Sequence, residues 1–328
     1  MSTILVTGGA GFIGSHLCDV YLKLGWRVLA LDDLSTGRLR NLQAAKQSPN
    51  FEFVKGDVAD EGLVERLVAR SDLVVHLAAR VGLKLVIESP LKTLETNAKG
   101  GETILRQAAR RGVLTVIAST SEVYGLTTKF PSGEDDPISL GSPEVGRWSY
   151  AASKAYDESL ALAHYRESGL PVVVARLFNT VGSRQSTRYG MVIPRFARQA
   201  LDGKPLTVYG DGRQTRCFGH VADAIDCLIK LTLEPRAWGK VFNIGNPQEI
   251  RILELANRIL EATESSASIE YVPFGAAYGK GFEEIMRRVP DISRARDLVG
   301  FEPRKSLDDV LRDVIEEQRE EFAVSLSA

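Results

Sequence analysis

The chain has 328 residues, 44% of them hydrophobic and 25% charged, with a formal net charge of -1. Such a composition suits a folded chain with a sizeable core, and the near-neutral balance offers no general attraction to nucleic acid or anionic lipid. No uncharged run approaches the ~20 residues of a membrane span, no basic-then-apolar leader opens the chain, and a cytoplasmic chain with no membrane or nucleic-acid partner is expected.

Taken in order, short β-branched apolar runs at 4–7, 27–31, 51–54, 73–77, 114–118 and 172–175 alternate with stretches of helical periodicity. Nearly continuous apolar strands suit a sheet covered on both faces, and alternation with helices implies parallel pairing. The fold class expected is α/β, a Rossmann-type doubly wound parallel sheet with a smaller C-terminal substrate-binding α/β domain. After about residue 179 the rhythm breaks. Residues 182–190 read as a polar loop, Gly210-Asp211-Gly212 as a turn, 240–244 as a late strand, 252–262 as a helix and 271–289 as a long loop. These patterns assign 1–179 and 217–247 to a cofactor-binding domain, and 180–216 with 248–328 to the second domain. Cys18, Cys217 and Cys227 form no CxxC pair and the four histidines have no ligand spacing, so neither a disulfide framework nor a metal site is expected.

The strongest local signal is Thr7-Gly8-Gly9-Ala10-Gly11-Phe12-Ile13-Gly14-Ser15, which follows the first strand and opens a helix. Gly8 suits a tight turn, Gly11 a close approach of backbone to a pyrophosphate, and Gly14 close helix–strand packing. The N–H groups at the helix start, around Phe12 and Ile13, would hold phosphates. A glycine-rich turn without ligand is the alternative, but the second strand ends in Asp32, about 18 residues beyond Gly14, where a carboxylate accepts ribose hydroxyls. The same carboxylate repels a 2′-phosphate, which favours NAD over NADP. Asp57 and Val58 follow the third strand, where an acid could reach an adenine amino group; a helix N-cap is an equal reading of Asp57. Leu77, Ala78 and Ala79 end the fourth strand with small residues suited to a cofactor's approach.

Tyr150 and Lys154 fall four apart, hence on one helix face, where an ammonium would lower the phenol's pKa and make it a usable base. Ser119-Thr120-Ser121-Glu122-Val123-Tyr124-Gly125 follows the fifth strand, at the sheet edge where ligands bind. A hydroxyl there could bond the reacting oxygen; turn and cap chemistry is the competing explanation.

The glycine fingerprint, the Ser-Thr-Ser-Glu-Val-Tyr-Gly segment and the Tyr-x-x-x-Lys pair resemble the extended short-chain dehydrogenase/reductase superfamily, in its NAD-dependent sugar-nucleotide epimerase/dehydratase branch. The resemblance continues through Leu177-Phe178-Asn179, the Pro205-Leu206-Thr207-Val208-Tyr209-Gly210 run and Phe242-Asn243-Ile244-Gly245, with a departure at Gly182-Ser183-Arg184. It implies Thr120, Tyr150 and Lys154 as the catalytic triad and Asn97 near the nicotinamide. It also implies Asn179, Val192, Tyr209 and Arg216 along a UDP-sugar site, and a homodimer through helices near 91–110 and 150–166.

Within that branch the shared first step removes hydride from C4 of the sugar. The 4,6-dehydratases carry an adjacent Asp-Glu pair where this chain has Ser121-Glu122. UDP-glucuronate decarboxylases carry Ser-Glu there and an Arg matching Arg216, and they also resemble this chain through Arg147-Trp148-Ser149-Tyr150 and Tyr278-Gly279-Lys280-Gly281-Phe282. Decarboxylation of UDP-glucuronate is therefore expected, with Arg216 orienting the carboxylate and Ser121 and Glu122 managing protons. UDP-glucose or UDP-glucuronate 4-epimerisation is the alternative reaction. Arg216 would serve equally as a diphosphate clamp, Glu122 as a structural hydrogen-bond partner, and Arg287 and Arg288 as phosphate contacts or solvated surface. A non-enzymatic NAD sensor would have no need of Thr120, Tyr150 and Lys154 together.

Overall fold

The computed structural model describes residues 1–187, 191–278 and 283–326. The first half runs β1 (Thr3–Thr7), α1 (Phe12–Lys23), β2 (Arg27–Asp32), β3 (Phe51–Lys55), α2 (Glu61–Val68) and β4 (Leu73–His76). It continues through α3 (Leu83–Glu88), α4 (Pro90–Ala109), β5 (Leu114–Thr120), α5 (Trp148–Ser168), β6 (Val172–Leu177) and β7 (Thr180–Val181). Then come α6 (Val192–Leu201), β8 (Leu206–Tyr209), β9 (Thr215–Cys217), β10 (Gly219–His220), α7 (Val221–Thr232) and β11 (Lys240–Ile244). The chain closes with β12 (Glu249–Arg251), α8 (Ile252–Thr263), β13 (Ile269–Val272), α9 (Phe274–Tyr278), α10 (Ser293–Val299) and α11 (Leu307–Leu326).

Seven of these strands form one wholly parallel sheet in the order β11-β6-β5-β4-β1-β2-β3. The lack of polar alternation in the strands has a direct cause. Ile4 and Val6 pack on one side with Leu17 of α1 and Ile225 of α7, while Leu5, Leu29 and Val74 pack on the other with Val64 of α2 and Ile104 of α4. Both faces are covered, so both need apolar side chains. From β1 the chain winds outward through β2 and β3, then returns to place β4 on the other side of β1. A crevice opens at such a reversal above the strand carboxyl ends, and it is where open α/β sheets bind ligands.

Most expected strands begin within a residue of their observed starts; β5 and β6 run two residues further, to Thr120 and Leu177, and so carry their ends into the crevice. The second core joins Phe196 of α6, Val208 of β8, Leu255 of α8 and Val314 of α11. Residues 292–301 behave differently from the rest of the C-terminal stretch, because Ile292, Ala295 and Phe301 pack into the core beside β11 and α7. The expected loop at 271–289 holds the end of β13 and the short helix α9, and residues 279–282, including Gly279-Lys280-Gly281-Phe282, lie outside the described residues. Its later part is tied down: Thr215 N–H donates to Met286 O (2.9 Å) and Ser132 N–H to Val289 O (2.8 Å). Among the described residues no helix is long and apolar enough to cross a membrane, and no cluster of three His, Cys, Asp or Glu side chains could hold a metal.

Candidate active site

A cavity of about 440 Å³ occupies the crevice and is lined along one continuous wall from the β1 turn to the second lobe. At its first end Gly8 has φ of +69°, and a Cβ there would lie 2.9 Å from Ala78 N. A Cβ on Gly14 would lie 2.2 Å from Gly8 O, so the start of α1 packs backbone against backbone on the β1 turn. Gly11 is the N-cap of α1 and supplies no capping side chain, which leaves the helix-start N–H groups of Phe12 and Ile13 for an anion. Phe12, Ile13, Val58, Leu77, Ala78 and Ala79 all line this end.

Asp32 ends β2 inside the same cavity. Ala10 N–H (3.0 Å) and Leu34 N–H (2.8 Å) donate to its carboxylate, while burial pushes its pKa up. Asp57 also lines the cavity and accepts from Ala59 N–H (2.8 Å); the N-cap of α2 is Asp60, so the capping alternative for Asp57 does not hold. Asn97 does not line the cavity: its Oδ1 accepts from Arg80 N–H (2.7 Å) and its Nδ2 donates to Ser153 Oγ (3.1 Å). Its amide is consumed in bracing the turn after β4 against α5.

The rim at the cofactor end is joined to the second lobe through α11. Arg38 and Arg40 both pair with Glu321, and Arg184 N–H donates to Glu317 Oε1 (2.6 Å). Arg38 and Arg184 themselves line the cavity.

In the middle, β5 delivers Thr120, Ser121 and Glu122, and the first two turns of α5 deliver Tyr150 and Lys154. Thr120 Oγ1 accepts from Glu122 N–H (3.2 Å), a cap that turns the chain after the strand. The environment of Tyr150 departs from expectation. Burial pushes its phenol pKa up, Glu122 adds to the rise, the Thr120 hydroxyl opposes it and Asp157 reinforces it. Lys154 lies one turn further on, its ammonium paired with Asp157 at 3.0 Å and both side chains buried. Beneath them lies a second buried pair, Glu158 with Arg176 (2.7 Å).

At the far end three guanidinium groups and two carboxylates meet. Arg216 pairs with Glu284 and donates to Thr215 O (2.7 Å), and burial pulls its pKa down to about 10, with Arg288 adding to the fall. Arg147 lies 3.8 Å from Glu122 Oε2 and Arg288 lies 3.5 Å from Glu122 Oε1. Arg288 thus reaches the segment after β5, whereas Arg287 pairs with exposed Glu249 and stacks on Phe130 (4.9 Å), away from the cavity lining.

Asn179, Val192 and Tyr209 line the cavity wall beyond. Asn179 has φ of +28° and donates to Cys217 O (2.9 Å); Val192 opens α6. Tyr209 is stacked by Arg195 (4.1 Å) and meets Tyr278 edge-on at 5.1 Å. Arg147, Arg195 and Glu284 were not singled out as site residues from sequence. Arg147 offered one signal, since it precedes Tyr150 by three residues and so faces the same way on a helix.

The model for the NAD dependent epimerase/dehydratase family matches residues 4–245. A UDP-N-acetyl-alpha-D-glucosaminuronate decarboxylase of Bacillus cytotoxicus is 40% identical over 96% of this chain and 97% of its own length. UDP-glucuronic acid decarboxylase 1 of Danio rerio is 38% identical over 95% of this chain and 72% of its own. Among solved structures, a UDP-glucuronic acid 4-epimerase from Bacillus cereus in complex with UDP-glucuronic acid and NAD superimposes with a TM-score of 0.86. It is 29% identical, covering 97% of this chain and 99% of that one.

Proposed function

The chain belongs to the NAD-dependent epimerase/dehydratase family, and from that membership we propose that it is an NAD-dependent enzyme that decarboxylates a UDP-linked uronate such as UDP-glucuronate. The observation that carries this reading is the arginine group. Arg147, Arg216 and Arg288 converge beside Glu122 and Glu284 in the cavity shared by Tyr150 and Lys154, and their guanidinium groups suit a sugar that carries a carboxylate.

The residues present fit the cofactor: the Gly8–Gly14 turn leaves no room for a side chain, and bare helix-start N–H groups and the Asp32 carboxylate line the same cavity. Gly8, Gly11, Phe12, Ile13 and Gly14 would hold the pyrophosphate, Asp32 the adenosine ribose, Asp57 and Val58 the adenine, and Leu77, Ala78 and Ala79 the flank. Bound NAD supplies the acceptor for the C4 hydride and can return it.

Tyr150, as the phenolate that the Lys154 ammonium favours, takes the proton of the C4 hydroxyl and becomes the phenol, with Thr120 bonding the same oxygen. Oxidation at C4 makes the uronate a β-keto acid. The C5–C6 bond then breaks, CO₂ leaves, and its electron pair passes into the C4–C5 enolate. Arg216 orients the carboxylate before this step and balances the enolate after it. Ser121 and Glu122 hand a proton to C5. Asn179, Val192, Tyr209 and Arg288 line the remaining nucleotide-sugar site.

Residues 1–179 and 217–247 form the cofactor-binding part and 180–216 with 248–328 the substrate-binding part, with 292–301 docked back on the first. A homodimer through α4 and α5 accords with exposed Leu91, Leu94 and Tyr156 on those helices. The test is incubation with UDP-glucuronate and UDP-glucose separately, followed by NMR for CO₂, pentose or epimer. Decarboxylation of UDP-glucuronate, abolished about 10²–10⁴-fold by Tyr150→Phe with NAD retained, is expected. Epimer from UDP-glucose with no CO₂ from UDP-glucuronate would replace this reaction with 4-epimerisation.

A further inference from the structure

We infer that Asp157 is the positioning residue for Lys154: its carboxylate, seated in a niche that Gly101 leaves in α4, fixes the ammonium where it enters the cavity beside Tyr150. The inference rests on the roles given above to Tyr150 and Lys154. Asp157 follows Lys154 by three residues on α5, with Nζ and Oδ2 3.0 Å apart and side chains 3% and 0% exposed. A buried ammonium without a counter-ion is costly, and among the described residues no other acid pairs with this one.

The niche is built by the facing helix. A Cβ on Gly101 would lie 2.3 Å from Asp157 Oδ1, so any side chain there would drive the carboxylate out. Oδ1 itself accepts no hydrogen bond among the described residues, so the carboxylate is bound to the site through Lys154 alone.

Asp157 is the one acid paired with the ammonium among the described residues, while Glu122 also faces Tyr150 and disfavours its phenolate more than Asp157 does. On α5, Tyr150 precedes it and Glu158 follows, but Glu158 is committed to Arg176 of β6 and accepts from Ser119 of β5 (2.5 Å). From β4, His76 bonds Thr7 Oγ1 (2.8 Å) and is kept neutral by burial and by the Lys154 charge. From α4, Asn97 is occupied by Arg80 and Ser153. Burial pushes the Asp157 carboxyl up and the Lys154 ammonium opposes that rise. The same negative charge disfavours the Tyr150 phenolate. Asp157 therefore orders the ammonium and adds a small electrostatic bias toward the protonated phenol.

The test compares wild-type holoenzyme with Asp157→Asn, Gly101→Ala, Asp157→Ala and the Asp157→Ala/Gly101→Ala double variant. Asp157→Asn should slow oxidation of UDP-glucuronate about tenfold to a hundredfold at the pH plateau, with the sugar KM nearly unchanged. Its acid limb should move to lower pH by roughly one unit, because a negative neighbour of the phenol is gone. Gly101→Ala keeps both charges but displaces the carboxylate, so it should reproduce the rate loss even if the Asp157 variants fold poorly. The double variant should be neither slower nor less thermally stable than Asp157→Ala alone. Additive losses in rate and Tm, or a lowered Tm with the wild-type pH profile, would overturn the inference. Turnover by Tyr150→Phe would instead refute the base assignment. An inactive Tyr150→Phe beside an Asp157→Asn of wild-type profile would remove the role of Asp157 alone.

Discussion

Replacing Glu284 by Gln preserves the shape of that side chain and deletes its charge, which isolates its part in the arginine group. Arg216 and Glu284 are 10% and 13% exposed, so the variant leaves a guanidinium largely out of water with a neutral partner. Removing one member of a buried pair costs about 3–5 kcal/mol. The new amide oxygen still accepts, as does Thr215 O at 2.7 Å, which places the expected loss near the lower bound. About 3 kcal/mol corresponds to roughly 4 °C in Tm for a chain of this size. A carboxylate on the ligand restores what the mutation took away. UDP-glucuronate should therefore raise the Tm of Glu284→Gln by more than it raises that of wild type, whereas UDP-glucose should shift both equally. If one charge-assisted hydrogen bond of about 1.5–3 kcal/mol is gained, the calorimetric Kd for UDP-glucuronate falls about tenfold to a hundredfold. Equal ligand-induced shifts for the two sugars, or weaker binding of the uronate, would refute the assignment of Arg216 to the sugar carboxylate.

Two further outcomes follow from the cofactor end and the sheet. Gly14→Ala places a Cβ 2.2 Å from Gly8 O, so the start of α1 must retreat by about 1 Å, at about 1–3 kcal/mol of strain. The purified variant should lose most of its NAD; full occupancy with an unchanged Tm would contradict the packing argument. His76 is buried with its pKa pulled from 6.5 to about 3, so the unfolded chain binds the extra proton between those values. Stability should fall as pH drops through that window, and His76→Gln should flatten the slope measured by urea unfolding at a series of pH values. An unaltered slope would clear the imidazole of responsibility.

The parallel sheet and the cofactor turn were legible in sequence because each is encoded locally. Apolar runs mark strands covered on both sides, and the Gly8, Gly11 and Gly14 spacing records contacts made within a few residues. Tyr150 and Lys154 were legible for the same reason, since helical periodicity alone aligns them. What escaped was tertiary. Glu284 meets Arg216 across 68 positions, and Arg288 meets Glu122 across 166, with no local pattern that announces either contact. Asp157 was invisible because the feature that admits it is an empty space beside Gly101 on another helix. The partners of Asn97 and Lys154 were hidden for the same reason: the amide bonds Arg80 and Ser153, and the ammonium pairs with Asp157.

The ties from α11 bear on how such a chain would work through many cycles. Glu317 and Glu321 stitch Arg184, Arg38 and Arg40 into a hem along one rim of the cavity. The same helix also packs on α6, whose first residue, Val192, lines the other end of the cavity. One helix thus touches both ends of the cavity, and a shift of it would be felt at both rims at once.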